Sequence, residues 1–460
     1  MLAKELNSSG AGALNLELMQ CKGEGKDTRG CEEKLNSVLS MEPDNPQREI
    51  RAEEIYRELA ALPLRRDFLF LEPSDLDGIM DLRPDSGKGL KPGLSYLNEN
   101  MIYDRVYGAW LGRCAGCLLG VPVEDWPRDR INGFLRETGN YPVKNYMSSN
   151  VPEEIKQKYG VVDVIKAYAG NRSNWINNVN CMPEDDDTNY TILGLKILKD
   201  YGPDFTPLDV AETWLAGIPI LHTYTAERVA YRNLVDLKMP PVSALYRNPY
   251  REWIGAQIRA DFFGYITPGN PELGACMAWR DACISHVKNG IYGEMFVAAM
   301  LSAAAVTGDI NEIIHTGLSQ IPEKSRLSAE IRAVIEWKRA GTPWEQALDK
   351  LHLKYDEKNS YDWCLVMTNA AVVCLGLIYG GLDFEKSVGL AVHSGFDTDC
   401  NAATIGSIVG MVLGAKALPQ KWAAPLNDRI KSCVAGFGDV RISEMARRTV
   451  NIIKQIRNRD

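Results

Sequence analysis

Two short acidic runs hold the residues of this chain with the clearest chemical purpose. Glu184, Asp185, Asp186 and Asp187 stand immediately before Thr188 and an apolar helical pattern, and Asp397-Thr398-Asp399 follows the turn His393-Ser394-Gly395-Phe396. A helix N-terminus offsets about half of one negative charge, not four. A divalent cation is the economical counter-charge, and carboxylate oxygens in this number suit Mg²⁺, with Mn²⁺ or Ca²⁺ as other options. Carboxylates drawn from two distant segments can bridge a pair of ions. The competing reading of either run alone is a solvated, negatively charged helix cap.

The elements that must position these carboxylates read as helices. Apolar periodicity predicts helices over 101–119, 188–200, 207–217, 293–306, 326–340, 344–353, 363–379, 384–392, 399–416 and 440–456, with almost no strand alternation. In the first of these, glycines recur at 108, 112, 116 and 120; in the helix after Asp399 the small residues are Ala402, Gly406, Gly410 and Gly414. A four-residue interval puts each set on one helix face. Because glycine weakens a helix by roughly 1 kcal/mol relative to alanine, the pattern implies that another backbone approaches closely. Residues 120–187 and 222–280, rich in Asn, Pro, Tyr and Trp, read as long loops on that scaffold.

Ahead of these, Asn45 and Pro46 start an amphipathic helix that runs to Leu62, while residues 83–95 have the Gly, Pro and Ser content of a linker. A boundary near residue 100 separates an N-terminal extension, 1–100, from a larger unit, 101–460. The 460 residues carry 52 Lys plus Arg and 60 Asp plus Glu, a net charge of −8. Residues 1–100 hold 13 basic and 19 acidic side chains, hence −6, which leaves −2 for the rest. That balance opposes a sequence-independent grip on nucleic acid or on an anionic membrane. No apolar run reaches the roughly 18 residues of a membrane span, and Glu5 and Glu17 break any leader pattern, so the chain reads as cytoplasmic. Eleven cysteines without framework spacing read as reduced core thiols, Cys114-x-x-Cys117 included.

Taken in order, Gly108-Ala109-x-x-Gly112-x-x-x-Gly116-x-x-x-Gly120-x-Pro122-x-Glu124, Asp186-Asp187-Thr188 and Asp397-x-Asp399 followed by Ala402-Ala403-x-x-Gly406 resemble the ADP-ribosylglycohydrolase family. Gly255-Ala256-x-x-Arg259, Ser285-His286, Pro419 and Trp422 are similar to weaker stretches of the same pattern, and the resemblance covers about 101–430. It implies an all-α fold, a compact and roughly orthogonal multi-helix domain, here with a helical or irregular N-terminal extension. It also implies a cleft holding two Mg²⁺, with Mn²⁺ an alternative, that hydrolyses the bond between ADP-ribose and an acceptor, with metal-bound water as nucleophile. Asp186, Asp187, Asp397 and Asp399 would be metal ligands, Asp399 also serving catalysis. Glu124 would be the general base or a gate at the cleft mouth.

The chain departs from the family at informative places. Asp185 stands where the family has Ser or Thr, and Cys400 where it has Thr after Asp-x-Asp, so both join the candidate ligands and one metal position is expected to be altered. Cys117 takes a position often held by Asp, and Trp253-Ile254 replaces Asn-Gly. Arg259, His286, Arg251 and Glu252 are candidate substrate contacts. The segment 222–265 adds Arg228, Arg232 and Arg247 among aromatic residues, which suits a sugar phosphate or nucleotide; its other reading is a folded loop whose arginines pair with Glu227, Glu252 and Asp261. The function expected is metal-dependent hydrolysis of an N- or O-glycosidic bond of ADP-ribose or a related ribosyl or sugar nucleotide. The substrate is then a small molecule or an ADP-ribosylated one, with no nucleic acid or membrane partner and the oligomeric state left open. The alternative is a catalytically altered relative kept for ligand binding or structure. Asp397-x-Asp399 also looks like the nucleophile motif of haloacid-dehalogenase-type phosphatases, but that motif opens an α/β domain, whereas here it precedes a glycine-patterned helix near the C-terminus.

Overall fold

In the computed structural model, which describes residues 10–85, 97–167 and 170–458, two helices meet backbone to backbone. They are Glu99–Gly120 and Thr398–Leu413. A Cβ added at Gly108 would lie 2.3 Å from the Gly410 carbonyl oxygen, one at Gly112 2.0 Å from that of Gly406, one at Gly116 2.0 Å from that of Ala402, and one at Gly120 2.4 Å from the Asp399 nitrogen. As one number rises the other falls, so the helices run antiparallel with their small residues in register. The close backbone expected of each glycine set is supplied by the other set. One helix among the described residues, Glu99–Val123, is long and apolar enough to cross a membrane, and 94% of its apolar window is buried in this core.

The remaining helices wrap this pair. Ile442–Arg457 packs on the first helix, Phe384–Ser394 and Val366–Gly380 on the second, and Asp186–Tyr201 touches both. The hairpin Pro271–Ala282 with Asn289–Ala304 closes another side. The described strands form two antiparallel ribbons, 165–167 with 170–172 and 429–431 with 439–441, where Ile430 faces Val440. The protein is all-α in class, and helix 207–217 has the boundaries that its periodicity predicts. Pro207 and a reciprocal Thr206–Asp209 capping box start it.

The regions read as loops are more helical than expected. Residues 120–187 contain Arg128–Glu137 and Glu153–Tyr159; residues 222–280 contain Thr225–Val235, Val242–Leu245, Asp261–Tyr265 and Pro271–Ala282. Their aromatic residues, which suggest irregular chain, are packing groups: Phe134 meets Trp126, Tyr159 and Trp175 edge-on. Ile310–Leu318 was not anticipated either. Conversely, the single helix expected over 363–379 is broken at the extended residue Leu365. Tertiary pairing decides that break, since Ile254 donates to the Cys364 carbonyl at 2.8 Å and Val366 to that of Glu252 at 3.1 Å.

In the extension, Leu14–Gly23, Cys31–Leu39 and Pro46–Ala61 close a small core of their own around Leu14, Leu18, Leu35, Ile55 and Leu59. Asn45 caps the third helix by accepting from the Gln47 N–H, with Pro46 at its first position, as the sequence implies. The next stretch lies along the larger body: Leu71 donates to the Lys324 carbonyl at 2.8 Å, and the Trp279 indole to the Ser74 carbonyl at 2.9 Å. Most of the linker read at 83–95 lies outside the described residues.

The glycine seam sets a stability test. Gly112→Ala should cost about 1–3 kcal/mol or more, because neither backbone can yield to the new methyl. Gly12→Ala, where nothing lies within 4 Å, should change the denaturant midpoint by no more than about 0.5 kcal/mol equivalent. Equal effects from the two changes would contradict the seam.

Candidate functional site

The two acidic runs converge beside the glycine seam. Asp185 caps helix 186–201, its Oδ1 accepting from the Asp187 N–H at 3.0 Å. The turn before Asp397 is left-handed at Gly395 (φ 69°) and at the buried Phe396 (φ 55°), where Phe396 stacks on His352 with ring centroids 4.6 Å apart. A bulky residue with positive φ is uncommon and is held only by its surroundings. Thr398 then locks the helix start onto the seam by donating to the Gly120 carbonyl at 2.9 Å.

Two donor sets result. Atoms of Cys117, Asp185, Asp187 and Asp399 lie within 4.8 Å of one another, and so do atoms of Asp397, Asp399 and Cys400. Asp399 belongs to both. All of these residues are buried, and Asp397 Oδ1 and Asp399 Oδ1 have no hydrogen-bond partner. Buried carboxylate oxygens without partners are costly unless a cation or proton meets them. The residues present therefore fit divalent cations, with a thiol in each set. Asp186 is half-buried and joins neither set.

Arg113, which the motif reading did not single out, is the fully buried cation of this region. Its Nη2 donates to Asp187 Oδ1 at 3.0 Å and its Nη1 to Asp261 Oδ2 at 2.7 Å, and it also reaches the carbonyls of Asp187 and Ile258. A lone arginine inside the apolar stretch Gly108–Gly120 was the available signal. With one oxygen on Arg113, Asp187 offers the other toward Cys117, whose Sγ stands 3.8 Å from Oδ2. Desolvation, and then the charges of Asp185, Asp187, Glu124 and Asp397, lifts the carboxyls of Asp186 and Asp399 well above the ordinary range. Asp187 is raised by burial against the pull of Arg113, and Asp397 is raised by burial. Glu124, just after the seam helix, is exposed to solvent. Desolvation by the surrounding protein, followed by the charges of Asp397, Asp125, Asp185 and Asp187, raises its carboxyl as well.

The four candidate substrate contacts lie elsewhere. Arg259 is buried and donates to Asp281 at 2.5 Å, Glu227 at 2.7 Å and Ser285 at 3.0 Å. It is a structural hub beneath Tyr190 and Trp214. His286 is fully buried against Ser285, 2.8 Å away, and is held neutral by burial and by Arg259. Arg251 is buried between two acids of the extension, 2.8 Å from Glu17 and 2.7 Å from Glu24. Glu252 accepts from Arg326, Asn289 and Gln20. None of the four is free to meet a ligand as placed. Their pairing supports the folded-loop reading of 222–265, with different partners: Glu227 binds Arg259, Glu252 binds Arg326 and Asp261 binds Arg113. Arg247 likewise turns to Glu49 of the extension, and Arg228 to the Thr223 carbonyl.

With this geometry in place, comparison with known proteins is decisive for the family. A family model described as ADP-ribosylglycohydrolase matches residues 98–457. The chain belongs to the ADP-ribosylglycohydrolase family. A solved structure titled ADP-ribosylglycohydrolase-related protein complex is similar at 19% identity over 77% of this chain and 99% of its own, with a TM-score of 0.48. No curated protein matches the chain. Within this ADP-ribosylglycohydrolase member, Asp187, Asp397 and Asp399 of the family pattern converge while Asp186 joins neither donor set, and Arg259 and His286 of its weaker stretches are buried in packing.

Two measurements test the site's electrostatics. Carboxyls that bind protons more tightly folded than unfolded stabilise the fold at low pH and cost stability as pH rises above about 4. His286 and His393, the latter held down to about 4 by burial, act in the opposite sense, but only below about pH 6.5. Above about pH 7 the metal-free melting temperature should therefore fall with pH, and Asp399→Asn should raise it there. An Asp399→Asn protein no more stable than wild type at high pH would contradict the charge crowding. Arg113→Leu should cost about 3–5 kcal/mol in denaturant unfolding, because Asp187 and Asp261 lose their buried partner.

Proposed function

We propose that this protein is a metal-dependent hydrolase of an N- or O-glycosidic bond in ADP-ribose or a related ribosyl or sugar nucleotide. The observation that carries the reading is the pair of buried donor sets joined through Asp399, in a chain of this family. Asp185, Asp187 and Asp399 would hold one divalent ion, and Asp397, Asp399 and Cys400 a second, Mg²⁺ or Mn²⁺ being the family expectation. When bound, such ions supply Lewis acidity toward sugar hydroxyls and lower the pKa of water.

The chain's own residues do the rest. Arg113 fixes one face of Asp187 so that its other oxygen points inward. Phe396 and Thr398 fix where Asp397 and Asp399 leave the helix start. Glu124 is the residue placed to move protons, since it faces both solvent and the buried charges, and its raised carboxyl shifts toward the working range of a general base. We assign the catalytic unit to residues 101–460, with 1–100 as its extension. The substrate would be a small molecule or an ADP-ribosylated one, met in the cytoplasm. The net charge of −8 argues for such a partner over nucleic acid or membrane. One observation favours the second reading, a catalytically altered ligand-binding relative: a thiol stands in each donor set.

Turnover separates the two. Release of product from ADP-ribosylated peptides, small ADP-ribosyl compounds and simple N- or O-ribosides should vanish with chelator and return with Mg²⁺ or Mn²⁺. Asp397→Ala should lower kcat/KM by at least about 100-fold, the scale of losing one oriented electrostatic group, while keeping its fold. Activity unchanged in metal-stripped protein would refute the hydrolase mechanism, and melting shifts with ligand but no turnover would favour the binder.

A further inference from the structure

A third convergence of ligating side chains lies outside the two buried sets. Glu184, His222 and Cys433 come from three separate segments, and their donor atoms lie within 4.8 Å of one another, each residue partly buried and so reachable from solvent. His222 Nδ1 is 3.0 Å from Glu184 Oε1. His222 ends the short turn Ile220–His222, and Cys433 follows the strand Arg429–Lys431.

The surroundings hold this arrangement in place. The fully buried Asn189 donates to Glu184 Oε1 at 2.7 Å, and its own oxygen accepts from Ser432 Oγ at 2.8 Å and the Cys433 N–H at 3.1 Å. One amide thus sets both the carboxylate and the turn that bears the thiol. Met182 extends the 429–431 strand, donating to the Arg429 carbonyl at 2.9 Å and accepting from the Lys431 N–H at 3.0 Å. The ligands are in turn oriented by a second layer of hydrogen bonds, as is usual around bound metals.

The donor chemistry differs from that of the acidic centre. A thiolate, an imidazole and one carboxylate with room for water is a ligand set of Zn²⁺, whose bonds of about 2.0–2.3 Å place donors roughly 3–4 Å apart, within reach of side-chain rotation here. Mg²⁺ prefers oxygen alone. We propose that Glu184, His222 and Cys433 form a separate site for Zn²⁺ or a similarly soft divalent ion. Binding releases the thiol proton to solvent and forms the metal–sulfur bond. Because Glu184 directly precedes Asp185, an ion there braces the segment that presents Asp185 against the 429–433 ribbon. The inference stands whether or not the protein is a hydrolase.

Cobalt is the probe, since thiolate ligation to Co²⁺ gives a near-ultraviolet charge-transfer band. The full-length, chelator-treated protein should develop that band on titration with Co²⁺ and lose it on adding Zn²⁺. Cys433→Ser should remove the band or diminish it, whereas Cys400→Ser and Cys117→Ser should retain intensity that depends on Cys433. His222→Gln should weaken Zn²⁺ binding at least tenfold, with circular dichroism confirming that each variant is folded. No band in the wild type, or a band undiminished in Cys433→Ser, would overturn the site, as would a band lost completely with Cys400→Ser alone.

Discussion

Everything in this fold that matters for chemistry hangs from one contact, the antiparallel seam in which Gly108, Gly112, Gly116 and Gly120 lie against Gly410, Gly406, Ala402 and Asp399. Two helices at van der Waals backbone distance behave as one rigid element, because there are no side chains between them to change rotamer. The seam ends at Gly120 and Asp399, so the N-terminus of one helix is delivered to the C-terminus of the other. Glu124 leaves from one end and Asp397 and Asp399 from the other. Spacing between Glu124 and the carboxylate pair is thus set by backbone, which is stiffer than any loop.

The second constraint is charge. Five acidic residues, Glu124, Asp185, Asp187, Asp397 and Asp399, share a region whose fully buried cation is Arg113. Such an excess of buried acid costs intrinsic stability, as perturbed groups gathered at one site commonly do. Burial and the surrounding carboxylates push the thiols of Cys117 and Cys400 up, so in the metal-free protein they add no further negative charge.

How much of this was legible in residues alone depends on the scale of the interaction. The seam could be read because glycine at four-residue spacing has one physical use inside a helix. The acidic runs could be read because excess charge at a helix start needs a counter-ion. Helices 128–137 and 271–282 were missed because aromatic and proline content mimics loop composition when the packing partners are remote in sequence. Arg259, Arg251 and Glu252 read as substrate contacts because type and neighbourhood cannot tell a buried, paired side chain from a ligand-binding one. Only the partners do so, and Glu17, Glu24 and Asp281 are far along the chain. Arg113 was overlooked for the converse reason, one polar residue in an apolar run whose importance lies in two distant aspartates.

The extension's grip on the body has a consequence for biosynthesis. Glu17 meets Arg251 across 234 positions and Gln20 meets Glu252 across 232. At about 5–20 residues per second, the ribosome needs roughly 12–47 s between making the first partner and the second. During that interval the first helices can close their own small core around Leu14 and Leu59, yet Glu17 and Glu24 wait in water for their cations. The nascent extension is then an acidic module in search of arginine, and the emerging Arg247–Glu252 segment is what ends the search.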